Sequence, residues 1–216
     1  MINNLSETSS FANQILFELR NKNIQTDRGK FRRNMEKLGI IMAYELSKKL
    51  VYTSKEFETP LAKMELPLPE PPLIIGVLRA ALPFMNGFLS IFDHADSGFI
   101  GAYRKEGTAD VQIDLNYAAL PSIERKVVAV VDPMLATGKS FVKTIEELSK
   151  FGQASHFHLV CAIATPEGIQ YISNHLKKNK YTIWVAAVDS HLDEHSYIVP
   201  GLGDAGDLSY GEKIVR

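Results

Sequence analysis

Asp132 closes an apolar run, and four residues later the chain reads Ala136-Thr137-Gly138-Lys139-Ser140. A carboxylate at such a place accepts hydrogen bonds from sugar hydroxyls. A loop that runs into a helix start offers free N–H groups and the positive end of the helix dipole, which together hold a phosphate. Thr137 and Ser140 add hydroxyl donors, and Gly138 lets the backbone come close. Strand, acid, short loop and helix start spell out a ribose-5-phosphate site. The Gly138–Lys139 pair also prompts comparison with a nucleotide-triphosphatase loop. That loop needs its first glycine five positions before the pair, where this chain has Pro133, a residue with no N–H to give. The loop alone also reads as a solvated strand-to-helix turn.

Such a site needs a strand to carry the acid and a helix to carry the loop. Five β-rich runs recur: 73–78, 98–103, 126–131, 156–164 and 181–188. Most are apolar almost throughout, as in strands buried on both faces of a parallel sheet. Helical patterns lie between most of them. Over 139–151, Phe141, Ile145 and Leu148 share a face, and Gly152 suits the end. Alternating strands and helices predict an α/β domain. The first 55 residues read as helical, with Phe31, Met35, Leu38, Met42, Leu46 and Leu50 at helical spacing. Between 98 and 120, two strand-like runs flank KEGTAD and predict a β-hairpin with Gly107 in its turn.

The stretch DPMLATGKS (132–140) resembles the phosphoribosyl-pyrophosphate loop of the type I phosphoribosyltransferases, and more narrowly that of the uracil phosphoribosyltransferase family. A second motif, YIVPGLGDAGD (197–207), is similar to the uracil-recognition segment of the same family. Shorter matches are DRGKFR (27–32), VLRA (77–80), GAYR (101–104) and PEG (166–168), so the resemblance runs from about residue 25 onward.

The resemblance implies a single domain over 1–216. Its core is a mostly parallel five-stranded sheet flanked by helices. A helical N-terminal region (1–66), a β-hairpin arm (98–120) and a base-binding hood (189–216) complete it. It implies an enzyme of pyrimidine salvage that joins uracil to phosphoribosyl pyrophosphate, giving UMP and diphosphate. Residues Asp132, Pro133, Met134, Leu135, Ala136, Thr137, Gly138, Lys139 and Ser140 would hold the phosphoribosyl part. Arg79 and Arg104 would bind the pyrophosphate, as suits a planar guanidinium fork, and Asp204 would also contact phosphoribosyl pyrophosphate from the sugar side. Ile198, Gly203, Asp204 and Ala205 would hold uracil through backbone groups. Asp132, Asp204 and Arg104 would carry the catalytic roles. Mg²⁺ would be bound mainly through phosphoribosyl pyrophosphate, with Asp204 a candidate ligand through water. The family is usually dimeric or larger, and some members respond to GTP.

Composition narrows the alternatives. The chain has 216 residues, is 45% hydrophobic and 23% charged, and carries a net charge of −1. No global basic field is present to hold nucleic acid, and no apolar run reaches the length of a bilayer span. Cys161, the single cysteine, lies in an apolar run and reads as core. The N-terminus lacks a signal-peptide pattern, so a cytoplasmic protein is expected. HLDEH (191–195) matches a zinc pattern, but Pro200 and the glycines behind it oppose the helix such a site needs. Four positions depart from the family: Ala81 stands for a glycine after the first strand, Asn116 and Ala119 change the hairpin's return, and Leu208 replaces a common arginine. A second reading follows from the same fold: a nucleotide-sensing regulator with weak or no turnover.

Overall fold

A computed structural model of the chain describes residues 1–104 and 113–212. In chain order the elements are β1 (Ile2–Asn4), α1 (Phe11–Arg20), α2 (Arg28–Ser47), β2 (Tyr52–Glu58), β3 (Lys63–Pro69) and β4 (Leu73–Leu78). Then come α3 (Leu82–Ile91), β5 (Ser97–Arg104), β6 (Ile113–Ala119), β7 (Val127–Val131), β8 (Met134–Leu135) and α4 (Lys139–Leu148). The chain continues through β9 (His156–Ala164), α5 (Pro166–His175), β10 (Tyr181–Val188), β11 (His191–Leu192), β12 (Ile198–Val199) and α6 (Ala205–Tyr210). Gly107, expected at the hairpin turn, lies outside the described residues.

The five apolar runs form β4, β5, β7, β9 and β10. They lie parallel in the order β10-β9-β7-β4-β5. The sheet is wider than the five expected strands. β1 adds a parallel strand beside β10, β6 pairs antiparallel with β5, and β8 joins β9, making eight. β1 is three residues, Ile-Asn-Asn, and β8 is two, so neither is long enough to show a period.

Successive side chains on each central strand enter opposite cores. Ile74, Ala129, Val131 and Val160 join the core beneath α1, α2 and α3. Leu73, Ile75, Val128 and Leu159 join the one beneath α4 and α5. Both faces are covered, which is why these runs lack a polar alternation. Cys161 belongs to the second core, where burial first and Asp132 second push its thiol pKa up. A protonated, enclosed thiol is a packing residue.

The helical expectation for 1–66 needs correction. Helix ends at Ser47, and β2 and β3 form an antiparallel ribbon over 52–69. All of β2 and all but Pro69 of β3 is exposed. A ribbon solvated on both faces has no buried side to impose a period of two. Pro67 and Pro69 further disguise it, since proline demotes a strand reading.

Candidate active site

The site is assembled at the carboxyl ends of β4 and β7, where open α/β sheets leave their crevice. Asp132 directly follows β7, and its N–H donates to the Val160 carbonyl (3.0 Å), extending the sheet by one bond. Its Oδ1 accepts from the Met134 N–H (3.1 Å), which turns the chain away from the strand. The Pro133 carbonyl accepts from the N–H groups of Ala162 (3.0 Å) and Ile163 (3.1 Å). Gly138 then caps α4 with φ +76°, a conformation in which a side chain is strained.

A second helix buttresses the loop from behind. Thr165 is fully buried and caps α5, accepting from the Gly168 N–H (3.0 Å). The same hydroxyl donates to the Ala136 carbonyl in the loop (2.8 Å). Gly168 lies so close that a Cβ there would meet the Ala136 oxygen at 2.2 Å. A Cβ on Gly138 would in turn meet the Gly168 oxygen at 2.6 Å. Two glycines, one on each side, let the α5 start and the loop touch through backbone alone. This gives the PEG motif at 166–168 a physical role.

The facing wall comes from two distant segments. Arg79 follows β4, and its Nη2 donates to Asp207 Oδ1 on α6 (2.5 Å) and to the Gly211 carbonyl (3.0 Å). Asp204 caps α6, accepting from the Asp207 N–H at 2.9 Å. Between the walls lies a cavity of about 200 Å³. Asp132, Thr137, Gly138, Arg79, Asp204 and Ala205 all border it.

The sequence-selected residues divide accordingly. Met134, Ala136, Ser140 and Gly203 also border the cavity, whereas Pro133, Leu135, Lys139 and Ile198 do not. Leu135 and Ile198 are buried in the two cores, 1% and 4% exposed. Arg104 ends β5, and its side chain lies outside the described residues. Tyr197 and Ser196 also border the cavity, and the motif reading assigns neither a role. Tyr197 opens the YIVPGLGDAGD motif, so an aromatic beside a segment expected to hold a planar base is the available signal. Asp207 was missed because its partner, Arg79, is 128 residues away. His191 sits in β11, paired with Val199 of β12, so His191 and His195 do not share a helix face.

The model of the uracil phosphoribosyltransferase family matches residues 7–211. The chain belongs to that family. A uracil phosphoribosyltransferase from Porphyromonas gingivalis is 44% identical over 212 residues, covering 97% of this chain and 98% of that one. One from Pyrococcus furiosus is 40% identical over 212 residues, covering 96% and 89%. The solved structure of the AQ2163 protein from Aquifex aeolicus superposes with a TM-score of 0.87 at 31% identity, covering all of both chains.

Against that family, two departures have simple structural accounts. Ala81 is fully buried with ordinary helical backbone angles (φ −70°, ψ −19°), so its methyl joins the core and strains nothing. Leu208 packs its side chain against the core beneath α1–α3. Ala119 is exposed on β6, and the Asn116 side chain lies outside the described residues.

Proposed function

We infer that this chain is an enzyme that transfers the phosphoribosyl group of phosphoribosyl pyrophosphate to uracil. The N1–C1 bond of UMP forms, the C1–O bond to diphosphate breaks with its electron pair, and the N1 proton is released. The observation that carries the reading is the meeting of the 132–140 loop and the 203–205 segment on one cavity, in a chain of this family. The first suits a sugar phosphate and the second a planar base.

The residues take roles from their chemistry. Thr137, Gly138 and Ser140 hold the 5-phosphate at the α4 start. Asp132 accepts from the ribose hydroxyls and, as an anion, favours positive charge building at C1 in an oxocarbenium-like transition state. Arg79 neutralises the pyrophosphate, with Arg104 from β5 assigned the same task. Gly203, Asp204 and Ala205 present backbone groups to the base, and Tyr197 offers an aromatic face beside them. Ile198, buried beneath that loop, supports it from the core.

The donor set also fits Mg²⁺. Asp132 and Asp204 border one cavity. Among the described residues no group of three or more His, Cys, Asp and Glu is placed to hold a metal alone. Mg²⁺ characteristically takes one or two carboxylates and completes its shell with water and substrate phosphates. When bound with the substrate it would supply neutralising charge to the diphosphate. A second copy of the chain is a fitting partner for the β2–β3 ribbon, where Phe57, Met64, Leu66 and Leu68 are each more than 40% exposed.

Two measurements bear on this reading. With phosphoribosyl pyrophosphate and Mg²⁺, labelled uracil is expected to give UMP while cytosine gives no product. An edge of backbone groups has fixed polarity, and a reversed group on the base leaves buried partners unpaired, which costs several kcal/mol on the order of a lost recognition bond. Efficient use of cytosine or a purine without uracil would overturn it, and nucleotide binding with no turnover would favour a regulator. Asp207→Ala is expected to raise the KM for phosphoribosyl pyrophosphate roughly fivefold, because an unpinned arginine must be ordered at each binding event. An unchanged KM would show that Arg79 needs no help from α6.

A further inference from the structure

The loop proposed to bind the base is held from outside the site by an ion pair whose carboxylate is buried and whose guanidinium is partly exposed. Arg20, the last residue of α1, makes a two-pronged pair with Asp189, Nη1 to Oδ2 and Nη2 to Oδ1, both 2.7 Å. Asp189 directly follows β10 and its side chain is 5% exposed. The pair closes on one glycine of the PGLG turn. The Gly201 N–H donates to Asp189 Oδ2 (2.9 Å), and the Gly201 carbonyl accepts from Arg20 Nη1 (3.0 Å). Both backbone groups of Gly201 are therefore consumed by charged partners.

No other residue type fits that place. Gly201 has φ +60°, and a Cβ there would meet the Ile198 oxygen at 2.0 Å. Arg20 is itself held, because Gln25 Nε2 donates to its carbonyl (3.1 Å). Two residues beyond Gly201, Gly203 begins the segment that borders the cavity. Charge-assisted bonds to the two successive peptide units that flank the Gly201 Cα leave little freedom to the residues just downstream.

We propose that Arg20, acting through Asp189 and Gly201, is a positioning residue that sets the geometry of the base-recognition loop, so that the N-terminal helix helps determine uracil affinity. The proposal rests on the uracil reading above. Arg20 does not border the cavity, and its side-chain bonds go to Asp189 and to Gly201 of the base loop, so its effect is expected on the base rather than on the sugar phosphate. Lysine cannot replace it fully, since an ammonium lacks the planar fork that spans a carboxylate and reaches a carbonyl as well.

The test is steady-state kinetics of wild type, Arg20→Gln and Arg20→Lys, alongside thermal melting of each. Arg20→Gln is expected to raise the KM for uracil about tenfold, the equivalent of one lost charged hydrogen bond. The KM for phosphoribosyl pyrophosphate should stay within about twofold, as for an independent site. Arg20→Lys should fall between wild type and Arg20→Gln. Equal rises in both KM values, or no rise in either, would overturn the proposal while leaving the enzyme intact. A wild type without uracil turnover would overturn the enzymatic reading, and this proposal with it. Should Arg20→Gln fail to fold, hydrogen exchange on the wild type decides. A Gly201 amide protected without ligand supports the clamp, and exchange at an open-loop rate refutes it.

Discussion

Asp132→Asn is expected to keep its fold and to lose roughly two orders of magnitude or more in turnover, the scale of a misplaced or weakened contact at the reacting centre. The substitution is nearly isosteric. The asparagine oxygen can still accept from the Met134 N–H, the bond that turns the loop off β7. What disappears is a full negative charge bordering the cavity in which C1 of the sugar would become positive. A charge that acts mainly on the transition state lowers kcat when removed, with less change in KM. Measuring kcat and both KM values beside a melting curve separates this from unfolding. A folded variant with near-normal kcat would remove Asp132 from the chemistry.

Gly138→Val is expected to abolish phosphoribosyl pyrophosphate binding, read by calorimetric titration. A β-branched side chain there would crowd the phosphate. The structure adds a more immediate reason. Gly138 sits at φ +76°, and a Cβ there would meet the backbone oxygen of Gly168 at 2.6 Å, which cannot swing aside as a side chain could. The loop would be pushed off the α5 start, breaking the arrangement that Thr165 bonds together. Lys139→Ala should be much milder, since Lys139 does not border the cavity and the holding is proposed to fall to backbone N–H groups. If Lys139→Ala proves the more damaging change, the loop works through its lysine and the assigned mode of phosphate binding is wrong.

The parts of this protein legible in its sequence are those dictated by local chemistry. Strands buried on both faces must be apolar throughout, so the five central runs declared themselves. A phosphate loop needs an acid, hydroxyls and a glycine within nine residues, so 132–140 could be recognised without knowing the fold. The base segment likewise carries its glycines in one run. The exposed ribbon at 52–69 was hidden for the opposite reason: nothing buries either of its faces, so no period is imposed on its residues.

What only the tertiary structure decided is which residues far apart in the chain hold these local pieces in place. Gly168 packs on the loop at Ala136, Asp207 pairs with Arg79, and Arg20 reaches Gly201 both directly and through Asp189. None of these pairs has a spacing that local geometry fixes, as a helix fixes i and i+4. Each is set by where the parallel sheet delivers its strand ends, β4 beside β7 and β9 beside β10. An arginine or a glycine at such a position looks like any other until the fold supplies its partner. The sequence by itself determined the chemical groups proposed to meet a sugar phosphate and a base. Their convergence on one cavity, and the bonds that hold them there, were determined by the packing of the sheet and its helices.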